Sequence, residues 1–557
     1  METADRVASN HQSRFRAART RAAVPWAVAV CLLGSVSLAQ AAGPSYSVRG
    51  VSWSGPIQLR TLAVLTGLAA HQLDHKLDLD QARAMARAAT LRLRRAGDLV
   101  ALVVLTQEGW QSFQRTGELT FRVFEGRVGA VRVLSNTSHV SSERLERVAR
   151  KALCPRGLDN CVLSSRGMER AQLLLQDSPG VHLAPLTLTS HGVGLGQTAV
   201  QIAASASEAK VTGAVSLDNY GVSESGQNRA GVSLSANNLL HLGDVWTGSF
   251  QDTDRHEATG ALGVSLPLGY QGWRVDLNGA RTTYAVPQVQ ASGTADTATA
   301  GVSYPLVRGL GSDWRVSLDG VWTRSELTVI GLPAAAPRHI IAAAATLSGD
   351  SGERNDLLWG DTWSTVLSLS SGTVSQWLAA PDTTGVLGRY TKVMGSALAK
   401  VNLDKGGLYT LWNLRGQWSD HNLDPYEELP VGGLTGVRAF SAAEGSVTRG
   451  VFSTLELRQR LLWRGNVFAP GLFVDYANGD FLARPYPSWQ LNLGYANSSL
   501  PNHRVWSDYG LGLDWASPWG MALTVAWATR MPGSARPLYR PPGSAQNRWL
   551  GSVSWQF

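Results

Sequence analysis

Beyond residue 41 this chain has no apolar run approaching the roughly 18 to 20 residues of a membrane-spanning helix, so it crosses a bilayer as a closed barrel or not at all. It lacks Gly-Lys-Ser and Gly-Lys-Thr, which excludes a P-loop, and His-Glu-x-x-His, which excludes that zinc-hydrolase signature. Gly349-Asp350-Ser351-Gly352 has the form of a serine-protease nucleophile loop. Glu353 stands where a glycine should follow and no His-Cys partner motif occurs, so the segment reads as a turn in an outer loop. Cysteine is scarce: Cys31 precedes residue 41, which leaves Cys154 and Cys161. Their spacing is no zinc pattern and the nearest histidine is His139. In an exported chain they most simply form one disulfide, closing a small Pro/Gly loop between two helical segments. The formal charge of +8 falls to about +5 without the first 41 residues, and no basic run with interleaved aromatics points to nucleic acid. Nothing in the sequence asks for a cofactor or a metal.

What is present is concentrated first at the two ends. Arg14, Arg16, Arg19 and Arg21 precede an apolar stretch from Ala22 to Ala39, and Ala39-Gln40-Ala41 has the small-x-small form of a signal-peptidase site. Residues 1–41 therefore read as a signal peptide, with the mature chain starting at Ala42. A retained anchor is disfavoured by the short stretch, by Pro25, Gly34 and two serines, and by the cleavage pattern. At the other end, Trp549 to Phe557 alternates large or apolar residues with small or polar ones, and Trp555 and Phe557 place aromatics at the close. That is the form of the last strand of an outer-membrane β-barrel, with one face in lipid and one in water.

The same period of two recurs from about Lys210 onward. Trp273, Val275, Leu277 and Gly279 alternate with Arg274, Asp276 and Asn278; Trp314, Val316, Leu318, Gly320 and Trp322 alternate with Arg315, Ser317 and Asp319. With 58 glycines for turns and 20 tryptophans for interfacial girdles, residues 208–557 fit an antiparallel transmembrane barrel of about sixteen strands, at about 9 to 11 residues per strand plus loops. A soluble sandwich would need neither the aromatic terminus nor so many tryptophans.

Residues 44–207 are patterned differently. Ala82, Met85, Ala86, Ala89, Leu93 and Ala96 recur at helical spacing over Arg83 to Ala96, stopped by Gly97, and strands are expected at Leu99 to Leu105 and Leu119 to Phe124. The programme then restarts: a strand from Val128 to Leu134, a helix opened by Ser141 or Ser142, a helix from Ser164 to Leu175, and strands at Val181 to Leu188 and Gln197 to Ala204. Two successive small β-α-α-β-β domains, 44–127 and 128–207, follow. Such domains offer a sheet edge to an extended peptide, or else act as plain spacers.

Specific motifs carry a family resemblance. Gly117-Glu118-Leu119 through Val123-Phe124-Glu125-Gly126-Arg127-Val128 resembles the end of the first polypeptide-transport-associated (POTRA) domain, and Leu173-Leu174-Leu175-Gln176-Asp177-Ser178-Pro179-Gly180-Val181 the Leu-Leu-x-Asp-x-Pro-Gly-Val turn of the second, in two-partner-secretion transporters of the haemolysin secretion/activation family, within the Omp85 superfamily. Leu217-Asp218-Asn219-Tyr220-Gly221, Asn237-Asn238-Leu239-Leu240 and Gly243-Asp244 look like that family's opening hairpin, and Tyr509 to Trp515 like its penultimate one. Val437-Arg438-Ala439-Phe440 resembles the family's Val-Arg-Gly-aromatic loop tip, and Phe473-Val474-Asp475-Tyr476-Ala477 its Phe-x-Asp-x-Gly wall motif, with Ala439 and Ala477 standing where the family has glycine. A left-handed backbone at residue 439 would suit alanine poorly.

The resemblance implies an outer-membrane pore, with its POTRA domains in the periplasm, that exports a large haemolysin- or adhesin-like partner in unfolded form without nucleotide hydrolysis. Arg438 would pair with Asp475 inside the barrel, with Val437, Phe440 and Phe473 beside them, and so anchor the loop. Alternation places Leu472, Val474 and Tyr476 toward lipid and Phe473 and Asp475 toward the lumen. The implied partners are the secreted protein bound through the POTRA domains, outer-membrane lipid, periplasmic chaperones and the barrel-assembly machinery, to which Trp555 and Phe557 would be the signal. Few residues separate Ala42 from the first strand near Val48, too few for the plug helix of many family members, which leaves the Arg438 loop as the main obstruction. A passive porin is the first rival and a barrel-assembly factor the second; the periplasmic repeat and the Arg438 motif argue against the one, and two domains rather than a longer array against the other.

Overall fold

The computed structural model describes residues 44–557 apart from 70–74, 207–208, 223–224, 256, 287–290, 330–336, 353–360, 377–381, 383, 493–498 and 539–546. The expected signal peptide lies outside the described residues. By contacts the chain divides into two units, one of Met1–Asn136, Ala149–Gln172 and Ala184–Ala203, the other of Thr137–Val148, Leu173–Leu183 and Ala204–Phe557.

In the first unit, strand Gly50–Ser54 lies parallel to Glu118–Phe124, which pairs on its other side with Leu102–Val104. Three helices, Leu59–Ala69, Leu79–Arg95 and Gln107–Thr116, accompany this sheet. Leu79–Arg95 starts where Asp78 and Gln81 form a reciprocal capping box, and it buries Ala82, Met85, Ala86, Ala89 and Leu93. Those side chains share a core with Phe113, Leu119, Phe121 and Val123. The helix Gln107–Thr116 departs from the expected order. Gly109 disguises it, yet that glycine is what lets the helix lie against the strand: a Cβ there would stand 2.7 Å from the Thr120 carbonyl. Farther on, helices Ser142–Leu153 and Ser165–Gln176 flank the disulfide between Cys154 and Cys161. The expected strand Val181 to Leu188 is two pieces, Val181–Leu183 and Thr187–Thr189, each antiparallel to Gln197–Ala206, with Pro185 between them.

The second unit holds a closed antiparallel barrel of 16 staves. One stave breaks at Arg460 into Arg449–Gln459 and Leu461–Trp463, both paired with Asn466–Asp480. Among the described residues no helix is long and apolar enough to cross a membrane; the staves cross instead. Along Asn466–Asp480 the alternation is clear: Leu472, Val474 and Tyr476 are exposed, while Phe473, Asp475 and Ala477 are buried. Closure joins Val211–Asp218 to Asn547–Gln556. Gly213 and Phe557 exchange both backbone hydrogen bonds, at 2.9 and 3.0 Å, and the Phe557 ring covers Gly213, where a Cβ would meet it at 2.6 Å. The Asn219 side chain extends this seam, accepting from Gly551 N at 2.8 Å and donating to the Trp549 carbonyl at 3.1 Å.

Because the strands alternate in direction, Leu408–Ser419, Asn466–Asp480 and Met521–Arg530 all run out at one end, where long connections follow them. Short turns such as 464–465 and 517–520 gather at the other, where Trp463 and Trp519 are exposed, the arrangement of an outer-membrane barrel with its long loops outward. Gly349 and Asp350 correct an expectation here. They end strand Arg338–Asp350, and Asp350 pairs with Asp313 at the start of Asp313–Val329, so Gly349–Gly352 sits at the short-turn end and not in an outer loop.

Candidate functional site

Residues 420–448 leave strand Leu408–Ser419 and double back into the barrel before joining Arg449–Gln459. Glycine makes the tight tip possible. A Cβ on Gly432 would lie 1.9 Å from the Ser441 carbonyl, one on Gly436 1.9 Å from that of Val431, and Gly433 has φ of 88°. The tip is cinched by Val437 N donating to the Val431 carbonyl at 2.7 Å and Gly433 N to that of Phe440 at 3.0 Å. Ala439 is not among the non-glycine residues with positive φ, so this backbone makes no demand that alanine cannot meet. Val437 and Phe440 are fully buried in an apolar cluster with Leu429, Val447, Phe452, Ala477, Phe481 and Trp506, so the loop brings its own core into the lumen.

Arg438 stands at the polar end of this core. Its backbone N–H donates to Asp475 Oδ2 at 3.2 Å, its Nε lies 3.2 Å from the same oxygen without hydrogen-bond alignment, and Nη2 is 3.4 Å from Oδ1. The shortest contact runs from Nη2 to Glu456, a residue that the motifs do not mark. The guanidinium carbon lies 3.7 Å from the centroid of the Phe473 ring, so the cation is stacked as well as paired. Val437, Arg438, Phe440, Phe473 and Asp475 thus meet at one place. Trp555 and Phe557 sit apart from them on the closing strand, their rings 5.2 Å apart.

The wall around Arg438 is a charged network. Thr454 donates to Asp475 Oδ1 at 2.7 Å; Arg458 bonds Glu456 Oε2 and Asp514 Oδ2, each at 2.5 Å; Ala439 N donates to Asp508 Oδ2 at 2.5 Å. These residues face inward on three adjacent strands, and cross-strand register brings them together: Asp475 stands opposite both Thr454 and Asp508, and Phe473 opposite Glu456. The signal that would have found them is the alternation of Thr454, Glu456 and Arg458 on the lumen face. Two guanidiniums thus hold three carboxylates, Glu456, Asp475 and Asp514, while a fourth, Asp508, takes the backbone N–H of Ala439. Such an assembly fixes a loop tip in one orientation and separates by exchanging partners, without bond chemistry.

Farther from the tip, Glu444 ends a short turn, Ala442–Glu444, and its carboxylate is fully buried. Burial raises its pKa, an effect only partly offset by donation from Trp506 Nε1 and Leu538 N, each at 3.0 Å.

A closed antiparallel barrel of sixteen staves with a long loop folded inward and clasped to its wall by an arginine defines an outer-membrane β-barrel protein. The family described as haemolysin secretion/activation protein ShlB/FhaC/HecB matches residues 196–496, more than half of the 557, and the chain belongs to it. The outer membrane transporter CdiB of Escherichia coli is 26% identical over 87% of this chain and 82% of its own length. The heme/hemopexin transporter protein HuxB of Haemophilus influenzae is 22% identical over 74% of this chain and 71% of its own. The solved structure of CdiB from Escherichia coli superposes with a TM-score of 0.69 at 20% identity, over 94% of this chain and 93% of that one. CdiB from Acinetobacter baumannii gives 0.66 at 15% identity, over 100% and 98%. The chain is a two-partner-secretion transporter of the Gram-negative outer membrane.

Proposed function

We propose that this transporter exports one large partner protein through the barrel as an extended, unfolded chain, with no catalytic residue and no nucleotide hydrolysis of its own. The domains 44–127 and 128–207 act as POTRA domains and receive the partner's secretion segment. Gly50–Ser54 supports this: among the described residues it pairs on one side only, with Glu118–Phe124, so its other edge is open to strand addition. The partner then displaces the inward loop, threads the lumen and folds outside, where folding opposes return. Chaperones keep the transporter itself insertable, and the barrel-assembly machinery reads Trp555 and Phe557.

The observation that carries this reading is the clasp of Arg438 on Glu456 and Asp475. A pore for small solutes has no need of a releasable ion-paired tip with its own apolar core. Arg438→Ala is expected to leave a folded, heat-modifiable barrel and to cut secretion of the cognate partner at least tenfold. Unaltered secretion overturns the role.

A further inference from the structure

We infer that Glu444 is a second fastening of the inward loop, separate from the Arg438 clasp, which latches that loop to the outer connection 531–538 and must be released before a chain can pass. The inference rests on the transport reading above, but its geometry stands by itself. The Glu444 carboxylate spans two elements: Oε1 accepts from Trp506 Nε1 on strand His503–Ala516, and Oε2 accepts from the backbone N–H of Leu538, both at 3.0 Å. Arg504 Nη1 lies 3.5 Å from Oε1, so the carboxylate has a cation beside it.

The connection that Glu444 grips is anchored independently to the barrel. Ala535 N donates to the Val505 carbonyl and Ser507 N to Ser534 Oγ, both at 2.9 Å; Arg504 donates to the Arg536 carbonyl. Removing the Glu444 carboxylate would therefore undo this one fastening of the inward loop while 531–538 stays in place.

A carboxylate is a poor choice for stability alone, because a well-packed apolar group in a buried site is often as stable as a buried ion pair or more so. It is a good choice for a latch, since its two oxygens can satisfy two donors arriving from different elements. Glutamine has the same shape but only one acceptor oxygen, so in Glu444→Gln either Trp506 or Leu538 would face another donor.

The test uses the full-length protein in planar bilayers, with no partner present. Glu444→Gln is expected to keep its heat-modifiability and to open at least threefold more often than the unaltered protein, with Trp506→Phe shifting opening in the same direction. Two separate fastenings also require that Glu444→Gln and Arg438→Ala multiply their effects when combined. Opening at the unaltered frequency in both Glu444→Gln and Trp506→Phe, or a double variant that behaves like Arg438→Ala alone, overturns the proposal. If Glu444→Gln fails to fold, Trp506→Phe decides alone. A changed opening frequency with normal partner secretion in Arg438→Ala would leave the latch standing and remove the transport reading.

Discussion

The barrel has two unlike inner walls. Where the inward loop docks, strands Arg449–Gln459, Asn466–Asp480 and His503–Ala516 present Thr454, Glu456, Arg458, Phe473, Asp475, Asp508 and Asp514, a dense patch of charge and ring. Arg338–Asp350 and Thr362–Gln376 carry Ala342, Ala344, Thr346 and Ser348, then Ser364, Ser368 and Ser370, on the face opposite exposed Ile341, Leu367 and Leu369. One wall is built to grip; the other, along Ala342 to Ser348 and Ser364 to Ser370, offers little to grip with, and it holds the inward connection only at its loop end, where Arg338 pairs with Asp424 at 3.1 Å and Ile340 and Val374 pack with Leu423. Hydroxyl and methyl groups carry no charge to pair with, whereas the charged wall holds the loop tip by ion pairs.

The sharpest way to break that contrast is to disarm the gripping wall. Asp475→Ala takes one of the two carboxylates from Arg438 and the acceptor from Thr454; Glu456 stays on Arg438, so the cost falls below the about 3 to 5 kcal/mol of a fully orphaned buried charge. Protease accessibility of residues 431–441 should rise by more than tenfold while Ser368→Ala, on the smooth wall, leaves it unchanged. An intermediate effect is expected at the seam. Val211–Asp218 and Asn547–Gln556 share register from Ala214 with Gln556 to Asp218 with Ser552; Gly213 and Phe557 extend the seam at one end, and two side-chain hydrogen bonds of Asn219 extend it at the other. Asn219→Ala removes both, at about 0.5 to 1.5 kcal/mol each, and should lower the temperature at which the barrel loses its heat-modifiable mobility on a gel.

The smallest effect is a titration on the smooth side. In the connection after Thr362–Gln376, burial alone would raise the pKa of Asp382, but the backbone N–H groups of Leu387, Thr384 and Gly385 outweigh it and hold that pKa below its ordinary value of 3.8. A depressed carboxyl supports its turn above the ordinary value, and that support is lost as pH falls through the lower folded value. Proteolysis of residues 382–387 by an acid-active protease should therefore rise at the lowest pH values. Asp382→Asn should abolish the pH step without touching the clasp.

Much of the fold was legible because the signals are local. Period-two alternation in Trp273 to Gly279 and Trp314 to Trp322 marked strands Trp273–Val286 and Asp313–Val329, and Ala82 to Leu93 marked a buried helix face. Helix Gln107–Thr116 was not legible, since Gly109 reads as a breaker until the strand that it must approach is known. The site divides along the same line. Arg438 and Asp475 lie in motifs, whereas Glu456, Asp508 and Glu444 become neighbours only through strand register and loop docking. The disulfide of Cys154 and Cys161 was within reach because the two are close in sequence. The turn at Gly349–Gly352 was assigned to the wrong end because a motif says nothing of strand parity.

The mutual hydrogen bonds of Gly213 and Phe557 set an order of events in assembly. Val211–Asp218 meets its second neighbour only when Asn547–Gln556, the last stave in chain order, is in place, so the cylinder cannot close from any shorter run of staves. An unclosed sheet would leave backbone donors and acceptors unpaired along both margins, which hydrocarbon cannot satisfy, so whatever holds that sheet before closure has to cover them.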